Sequence, residues 1–216
     1  ASVSRTSASH WTTRCRSCGV SPKPPVDDRA EALIGQQERD RLRQTLLPGA
    51  RSEAPVLHAM AGIPGAGKST FVRRERGRLL PEIAYLMNPD VVMTALDGYR
   101  DDLETIGAEG AFSRWELPAR AFAHELLDEA LARRLDVIQD MACAREENVE
   151  TLRAFRARGY RVFVWHAECT VATALERIKA RERHTPEAMV IERAAAIDAL
   201  LPDIRDVAHV YRSFTV

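Results

Sequence analysis

The segment GIPGAGKST, residues 62–70, constrains the fold more than any other feature of this 216-residue sequence. It contains the pattern Gly-x-x-x-x-Gly-Lys-Ser/Thr, whose glycines let backbone N–H groups turn toward phosphate oxygens. A short apolar run, residues 55–61, precedes it, and a basic stretch that can be helical to about Leu80 follows it. Because the pattern requires a strand before it and a helix after it, the segment predicts the phosphate-binding loop of a nucleoside triphosphate site.

Each residue type in this loop has an expected role. Lys68 supplies a positive charge for the β- and γ-phosphates, and the hydroxyl of Ser69 is a ligand for Mg²⁺. ATP and Mg²⁺ are therefore the expected ligands. The predicted nucleotide-binding residues are Gly62, Gly65, Ala66, Gly67, Lys68, Ser69 and Thr70.

Apolar strand candidates alternate with helical segments along the rest of the chain. The strand candidates are 55–61, 83–87, 137–140, 161–166 and 207–216, and the helix candidates include 28–47, 119–131, 146–158, 170–183 and a segment opening at Thr185-Pro186. Strands that are apolar on both faces and alternate with helices are typical of a covered parallel sheet. We therefore predict an α/β fold, a three-layer sheet of the P-loop NTPase type flanked by helices.

The overall charge excludes a general surface for polyanions. The 31 Lys and Arg residues balance 31 Asp and Glu residues, so any affinity for anions must be local. The chain has no run of 18 apolar residues and no apolar core of a signal peptide near residue 1. These features predict a cytoplasmic protein that does not contact a membrane.

The phosphate loop is shared by several protein classes, which differ elsewhere in the sequence. A GTPase switch needs the guanine-reading pattern Asn-Lys-x-Asp, which is missing here. A transporter or AAA-type motor needs a signature such as Leu-Ser-Gly-Gly-Gln or a strand ending in adjacent acids, and only 137–140 comes close. Asp140, at the end of that strand, is expected to hold Mg²⁺ through water. A small-molecule kinase needs a base near the loop and mobile cations over the phosphates, and candidates for both are present.

Asp90 is the candidate base. It lies just beyond the second predicted strand, at the edge where open α/β sheets bind ligands. A carboxylate at this point would accept the proton of a hydroxyl that attacks the γ-phosphorus. The alternative is that Asp90 only caps a helix beginning at Val91.

The candidate cations follow the fourth predicted strand. Four basic residues (Arg177, Lys179, Arg181 and Arg183) and one acid (Glu182) lie within seven positions. In a kinase, guanidinium groups here would neutralise charge on the transferring phosphoryl group. The alternative is a solvated helix face.

This order of features resembles the zeta toxin family of P-loop kinases over about residues 28–216. Members of that family are similar in fold to polynucleotide kinases and chloramphenicol phosphotransferase, and many phosphorylate UDP-N-acetylglucosamine with ATP and Mg²⁺. The resemblance implies that Asp90 is the catalytic base and that a toxin role would bring an antitoxin partner. The positions matching the family's functional residues are Lys68, Ser69, Asp90, Arg177 and Arg183, the last in the segment Arg-His-Thr-Pro.

The sequence also departs from the family pattern. Gln139-Asp140-Met141-Ala142 stands where the family has Glu-Gly-Thr followed by Arg, and Asn88 replaces an acid two residues before Asp90. The nucleotide loop and lid are therefore better supported than a UDP-sugar acceptor. We predict an ATP-dependent kinase with a small-molecule hydroxyl acceptor. The alternatives are a nucleic-acid 5′-hydroxyl kinase, an antibiotic phosphotransferase and a non-catalytic nucleotide-binding interaction module.

Residues 1–26 differ in composition from the rest of the chain. They contain four basic residues, no acid, and many Ser, Thr and Pro residues, which predicts a flexible basic tail before a kinase domain at 27–216. Cys15 and Cys18 form one Cys-x-x-Cys pair, too few ligands for a zinc site. In the predicted domain, His58 is expected to be a hydrogen-bonded core residue. Trp115, after a predicted loop at 107–110, is expected to be a packing residue, and the alternative is that it lines an acceptor pocket.

Overall fold

A five-stranded parallel sheet forms the centre of the fold. The computed structural model describes residues 32–49, 51–180 and 185–216. Within them the strand order is β2-β3-β1-β4-β5, and every pair of neighbours is parallel. The strands are β1 Val56–Ala61, β2 Tyr85–Met87, β3 Val137–Gln139, β4 Arg161–Ala167 and β5 Val210–Phe214. The predicted α/β parallel sheet is confirmed.

The central strand β1 shows why the sheet has a layer on each side. Its side chains alternate between two apolar clusters: Leu57 belongs to one cluster, and Met60 to another. Because successive residues of a strand point to opposite faces, these clusters lie on opposite sides of the sheet. Phe122 packs in the first cluster and Phe71 in the second, so helices cover both faces.

The helices in the described ranges connect these strands. Their bounds are α1 Gln36–Leu46, α2 Lys68–Glu75, α3 Pro89–Ala95, α4 Asp97–Thr105, α5 Gly107–Ala132, α6 Glu146–Ala157, α7 Val171–Lys179 and α8 Glu187–Val207. Both α3 and α4 pack against α5, the longest of them. None of these helices has the length and apolar character needed to cross a membrane.

Several helix boundaries differ from the sequence predictions. The predicted helix 28–47 is interrupted at 33–35, so that α1 begins at Gln36, and the predicted start at residue 28 lies outside the described residues. Helix α2 ends at Glu75 rather than near Leu80, because the backbone turns at Gly77 with φ +77°. Pro186 precedes the first turn of α8 rather than occupying it.

The predicted loop at 107–110 is wrong, because these residues form the first turn of α5. The buried side chains of Ala111 and Trp115 extend the apolar face of the helix toward its N-terminus. Thr170 caps α7, since its hydroxyl accepts a hydrogen bond from the N–H of Thr173 at 3.1 Å. The predicted tail 1–26, with Cys15 and Cys18, and the lid residue Arg183 lie outside the described residues.

Candidate active site

The loop after β1 has a backbone that only glycine adopts readily. Gly62, Gly65 and Gly67 have φ angles of +134°, +83° and +93°. A Cβ on Gly62 would lie 2.8 Å from the carbonyl oxygen of Ala167, and one on Gly65 would lie 2.5 Å from that of Ala174. The loop therefore excludes side chains at these positions for steric as well as conformational reasons.

Lys68 begins α2 directly after this loop. Its Nζ atom donates hydrogen bonds to the carbonyl oxygens of Gly62 at 2.8 Å and Ile63 at 2.9 Å, so the ammonium group lies across the loop. Ser69 and Thr70 follow in the first helical turn and are exposed. First-turn N–H groups lack acceptors within a helix and carry the positive end of its dipole. The segment thus has the geometry of an anion-binding loop.

Asp90 and Asp140 lie after the ends of two neighbouring strands. Asp140 is the residue after β3 and is half-buried, and Asp90 is the second residue of α3 with an exposed side chain. The helix cap is Asn88, whose Oδ1 accepts a hydrogen bond from the N–H of Asp90 at 2.9 Å. The alternative that Asp90 is the cap of this helix is therefore wrong.

Two hydrogen bonds and the backbone of residues 140–142 connect these acids to the loop. The Nδ2 of Asn88 donates to Oδ2 of Asp140 at 3.0 Å. Two residues later, the carbonyl oxygen of Ala142 accepts from the N–H of Gly62 at 3.1 Å. Because parallel strands end at one edge of the sheet, Asp90, Asp140 and the glycine loop lie at the same edge.

The turn after Asp140 is conformationally unusual. Cys143 is buried and has φ +52°, a left-handed conformation that is costly for a residue with a side chain. Burial raises the pKa of its thiol to about 12, although the nearby positive charge of Lys68 acts in the opposite direction. A neutral thiol beside the loop is a poor nucleophile, so Cys143 is a packing residue.

Arg177, on α7, reaches the loop from the other side. Its Nη1 donates to the carbonyl oxygen of Gly65 at 3.5 Å, and its Nη2 donates to the backbone oxygen of Val216. Lys179, two residues later, is exposed and pairs with Glu176 at 2.8 Å. Lys179 thus lies on a solvated helix face, which was the alternative for these basic residues. Arg177 is instead half-buried and contacts the loop.

The side chains also fit a Mg²⁺ ion held together with nucleotide phosphates. Within the described ranges, no group of three or more His, Cys, Asp and Glu side chains could hold a metal alone. Mg²⁺ commonly takes only one or two protein oxygens and completes its shell with water and phosphate. The hydroxyl of Ser69 and the carboxylate of Asp140 offer oxygen donors of this kind.

Two other candidates from the sequence are packing residues. Trp115 is 4% exposed, and its Nε1 donates to Oδ2 of Asp102 at 2.7 Å. It fills space beside Gly98, where an added Cβ would overlap the indole ring, so Trp115 is a packing residue as predicted and the alternative of an open pocket is wrong. His58 is buried as predicted and accepts a hydrogen bond from Nε1 of Trp165 at 2.9 Å.

The bond between Asn88 and Asp140 and the contact between Arg177 and Gly65 were not foreseen from the sequence. The two pairs are separated by 52 and 112 positions. The only sequence signal was Asn88 itself, a side chain with both a donor and an acceptor between a strand and a helix.

Comparisons with known proteins agree with this fold. The family model described as "AAA domain" matches residues 57–201. A chain of the PezAT chromosomal toxin–antitoxin system of Streptococcus pneumoniae superimposes with a TM-score of 0.66 at 14% identity, covering 88% of this chain and 78% of that one. The P-loop NTPase-type fold predicted from the sequence is confirmed.

A chain of the AvrRxo1-ORF1:AvrRxo1-ORF2 complex with ATP superimposes with a TM-score of 0.62 at 15% identity, covering 89% of this chain and 69% of that one. In the native form of that complex the TM-score is also 0.62, at 14% identity, and the match covers 86% of this chain and 63% of that one. A comparison with curated protein sequences found no match.

Proposed function

This chain belongs to the AAA domain family, and from that premise we propose that it is an ATP-dependent kinase that phosphorylates a hydroxyl of a small molecule. The observation that carries the proposal is a convergence at one edge of the sheet. The glycine loop, Asp90, Asp140 and Arg177 follow β1, β2, β3 and β4 respectively. Together they supply a phosphate cradle, a base, a metal ligand and a cation, the groups that phosphoryl transfer to a hydroxyl needs.

The loop residues are assigned to ATP. Backbone N–H groups of residues 62–70 face the phosphate oxygens, and the glycines leave room for that approach. Lys68 would exchange its contacts with the carbonyls of Gly62 and Ile63 for contacts with the β- and γ-phosphates. Ser69 as a ligand and Asp140 through water would hold Mg²⁺, which would supply positive charge to those phosphates.

Asp90 is assigned as the general base. As the acceptor oxygen forms its bond to the γ-phosphorus, the carboxylate of Asp90 takes the hydroxyl proton. The bond from the γ-phosphorus to the bridging oxygen breaks, and ADP leaves with that electron pair. Arg177 would then stabilise the negative charge of the transferring group from the side of α7, and Arg183 is assigned the same role.

The description "AAA domain" does not by itself choose between a motor and a kinase, so the choice depends on residues around the loop. The side chain of Asp90 is exposed at the ligand-binding edge, and Asn88 already provides the helix cap. A carboxylate exposed at this edge lies where an acceptor hydroxyl would approach the γ-phosphate. Arg177 is held against the loop rather than in solvent. These two placements favour the kinase over a non-catalytic nucleotide-binding module.

An acceptor screen tests the proposal. Wild-type protein is incubated with Mg²⁺ and ATP labelled at the γ-phosphate, together with UDP-sugars including UDP-N-acetylglucosamine, oligonucleotides with 5′-hydroxyl ends, or antibiotics with free hydroxyls. We expect mass spectrometry to detect phosphate on a small molecule, and UDP-N-acetylglucosamine is the first candidate because of the zeta-toxin resemblance. Label on oligonucleotide ends would instead support a nucleic-acid kinase. ATP binding without transfer to any acceptor would contradict the kinase.

A toxin role is a separate part of the proposal. The PezAT neighbour is a component of a toxin–antitoxin system, and by analogy this chain would have an antitoxin partner. We expect induced expression of the wild type in a bacterial host to arrest growth, and the Asp90→Ala variant to be harmless at equal protein level. Equal growth arrest by both proteins would show that the toxicity is not enzymatic.

A further inference from the structure

The side chain of Asn88 connects the two acids that the proposed reaction uses. Its Oδ1 accepts a hydrogen bond from the N–H of Asp90 at 2.9 Å, and its Nδ2 donates one to Oδ2 of Asp140 at 3.0 Å. The first bond caps α3, the helix that carries Asp90. The second spans 52 positions of sequence and joins the ends of β2 and β3. One amide therefore fixes the base-bearing helix and the acid after β3 relative to each other.

The partners of Asn88 determine how its amide is oriented. A backbone N–H only donates, so the atom facing Asp90 must be the oxygen. An ionised carboxylate only accepts, so the atom facing Asp140 must be the NH₂ group. Serine could cap the helix, but its shorter side chain has no NH₂ group to extend to Asp140, and aspartate would place a carboxylate against a carboxylate. An amide at position 88 satisfies both partners.

We propose that Asn88 is a positioning residue for phosphoryl transfer, because its amide holds Asp90 and Asp140 in one arrangement. The reaction then requires the amide at position 88 and the acid at position 140, not the reverse. The inference rests on the proposed kinase function and extends it to a residue outside the predicted site. The bond to Asp140 is half-buried and assisted by the carboxylate charge, which makes it stronger than a bond between neutral groups. Loss of this hydrogen bond would displace the carboxylates of Asp90 and Asp140 and leave the loop that contacts the nucleotide in place.

The first experiment separates the two bonds of Asn88. Asn88→Ser keeps a capping oxygen for α3 and removes the donor to Asp140, whereas Asn88→Ala removes both. We expect Asn88→Ser to lower kcat by ~100-fold, the effect of misplacing reacting groups by about an ångström. The KM for ATP should stay within about twofold of wild type, because the loop residues that hold the phosphates do not contact Asn88.

Asn148→Ala is the matched control. Asn148 is also half-buried at a helix start, and its Oδ1 accepts from the N–H of Arg145 at 3.1 Å. The control removes a similar bond at α6 that involves neither Asp90 nor Asp140, so its kcat should equal that of wild type. Transfer is measured with labelled ATP and UDP-N-acetylglucosamine, or whichever compound takes phosphate in the acceptor screen. Wild-type kcat in Asn88→Ser would overturn the positioning role.

A reciprocal exchange tests the placement of the acid. In the double variant Asn88→Asp with Asp140→Asn, the new carboxylate at 88 can cap α3 and accept from the new amide at 140. We expect the thermal midpoint to match that of the wild type while kcat stays at least ~10-fold low. Full recovery of kcat would overturn the requirement for the acid at 140. Failure of the wild type to phosphorylate any acceptor would overturn the proposed function instead, so the two failures are distinguishable.

Discussion

The glycine loop and the acid edge lie at the same end of the sheet but are built in different ways. The loop, residues 62–70, is one continuous segment whose shape comes from the positive φ angles of three glycines and from β1 below it. The acid edge, formed by Asn88, Asp90 and Asp140, joins two distant segments through side-chain hydrogen bonds. The loop is thus defined by backbone conformation, and the acid edge by tertiary contacts between side chains.

This difference separates nucleotide binding from transfer chemistry. A change in the loop should affect ATP affinity first, because the loop holds the phosphates. A change of Asn88 or Asp90 at the acid edge should affect the rate of transfer and leave ATP affinity intact. The following variants test that division, beginning with the largest expected effect.

Asp90→Ala should lower the rate of phosphoryl transfer by ~1000-fold, within the range for loss of a general base. ATP affinity should not change, because Asp90 lies on α3 rather than in the loop. Asp101→Ala is the control, since Asp101 is another exposed aspartate on the neighbouring helix α4. Single-turnover transfer and calorimetric titration with ATP measure the two quantities. Undiminished transfer by Asp90→Ala would remove the base assignment.

Gly65→Ala should weaken ATP binding by ~10-fold or more. The new Cβ would lie 2.5 Å from the carbonyl oxygen of Ala174, and the φ of +83° adds backbone strain of about 1–3 kcal/mol. Gly159→Ala is the matched control, because its φ is +79° but no atom lies within 4 Å of the added Cβ. Both variants should lose stability, but only Gly65→Ala should lose ATP affinity. Equal affinities in calorimetry would contradict the steric role of Gly65.

Acid should destabilise the protein through His58, which lies in β1 below the loop. Burial lowers the pKa of its imidazole from 6.5 to about 4, and Nδ1 must stay unprotonated to accept the bond from Trp165. At pH values between about 4 and 6.5, His58 is protonated in the unfolded chain but not in the folded chain. Stability therefore falls as the pH decreases through this window, by about 2 kcal/mol from pH 7 to pH 5.

His58→Gln is the variant that tests this origin, because a glutamine oxygen can accept the bond from Trp165 without titrating. Urea unfolding at pH 7 and pH 5 should show a smaller acid-induced loss for the variant than for the wild type. An unchanged loss would assign the acid sensitivity to other groups that protonate in this range, such as His166, whose pKa is also lowered from 6.5 by burial.

Arg134→Gly should increase the free energy of unfolding by up to about 1 kcal/mol and leave transfer unchanged. Arg134 has φ +55° in the turn after α5, where glycine is the usual residue. The gain is limited because glycine has more freedom in the unfolded chain and because the bond from Arg134 to the carbonyl of Glu53 is lost. A decrease in urea-unfolding stability would show that this bond outweighs the backbone strain.

The sequence by itself determined the strand–loop–helix unit at the phosphate loop and the alternation of strands with helices that produces a parallel sheet. Both depend on neighbouring residues: glycines allow the turn at 62–67, and apolar runs such as Val56–Ala61 form strands buried on both faces. Helix ends were less predictable, as at Gly107, because packing against the rest of the core extended α5 through a segment with loop-like composition.

Only the tertiary structure decided which polar groups meet at the edge of the sheet. Asn88 and Asp140 are brought together by the pairing of β2 with β3, and Arg177 reaches Gly65 because α7 follows β4, the neighbour of β1. The local sequence does not indicate such pairs, because each of these side chains could bond to many partners until the order of the strands is known. The phosphate loop was therefore predictable from residues 62–70 alone, whereas the arrangement of the acids around it required the folded sheet.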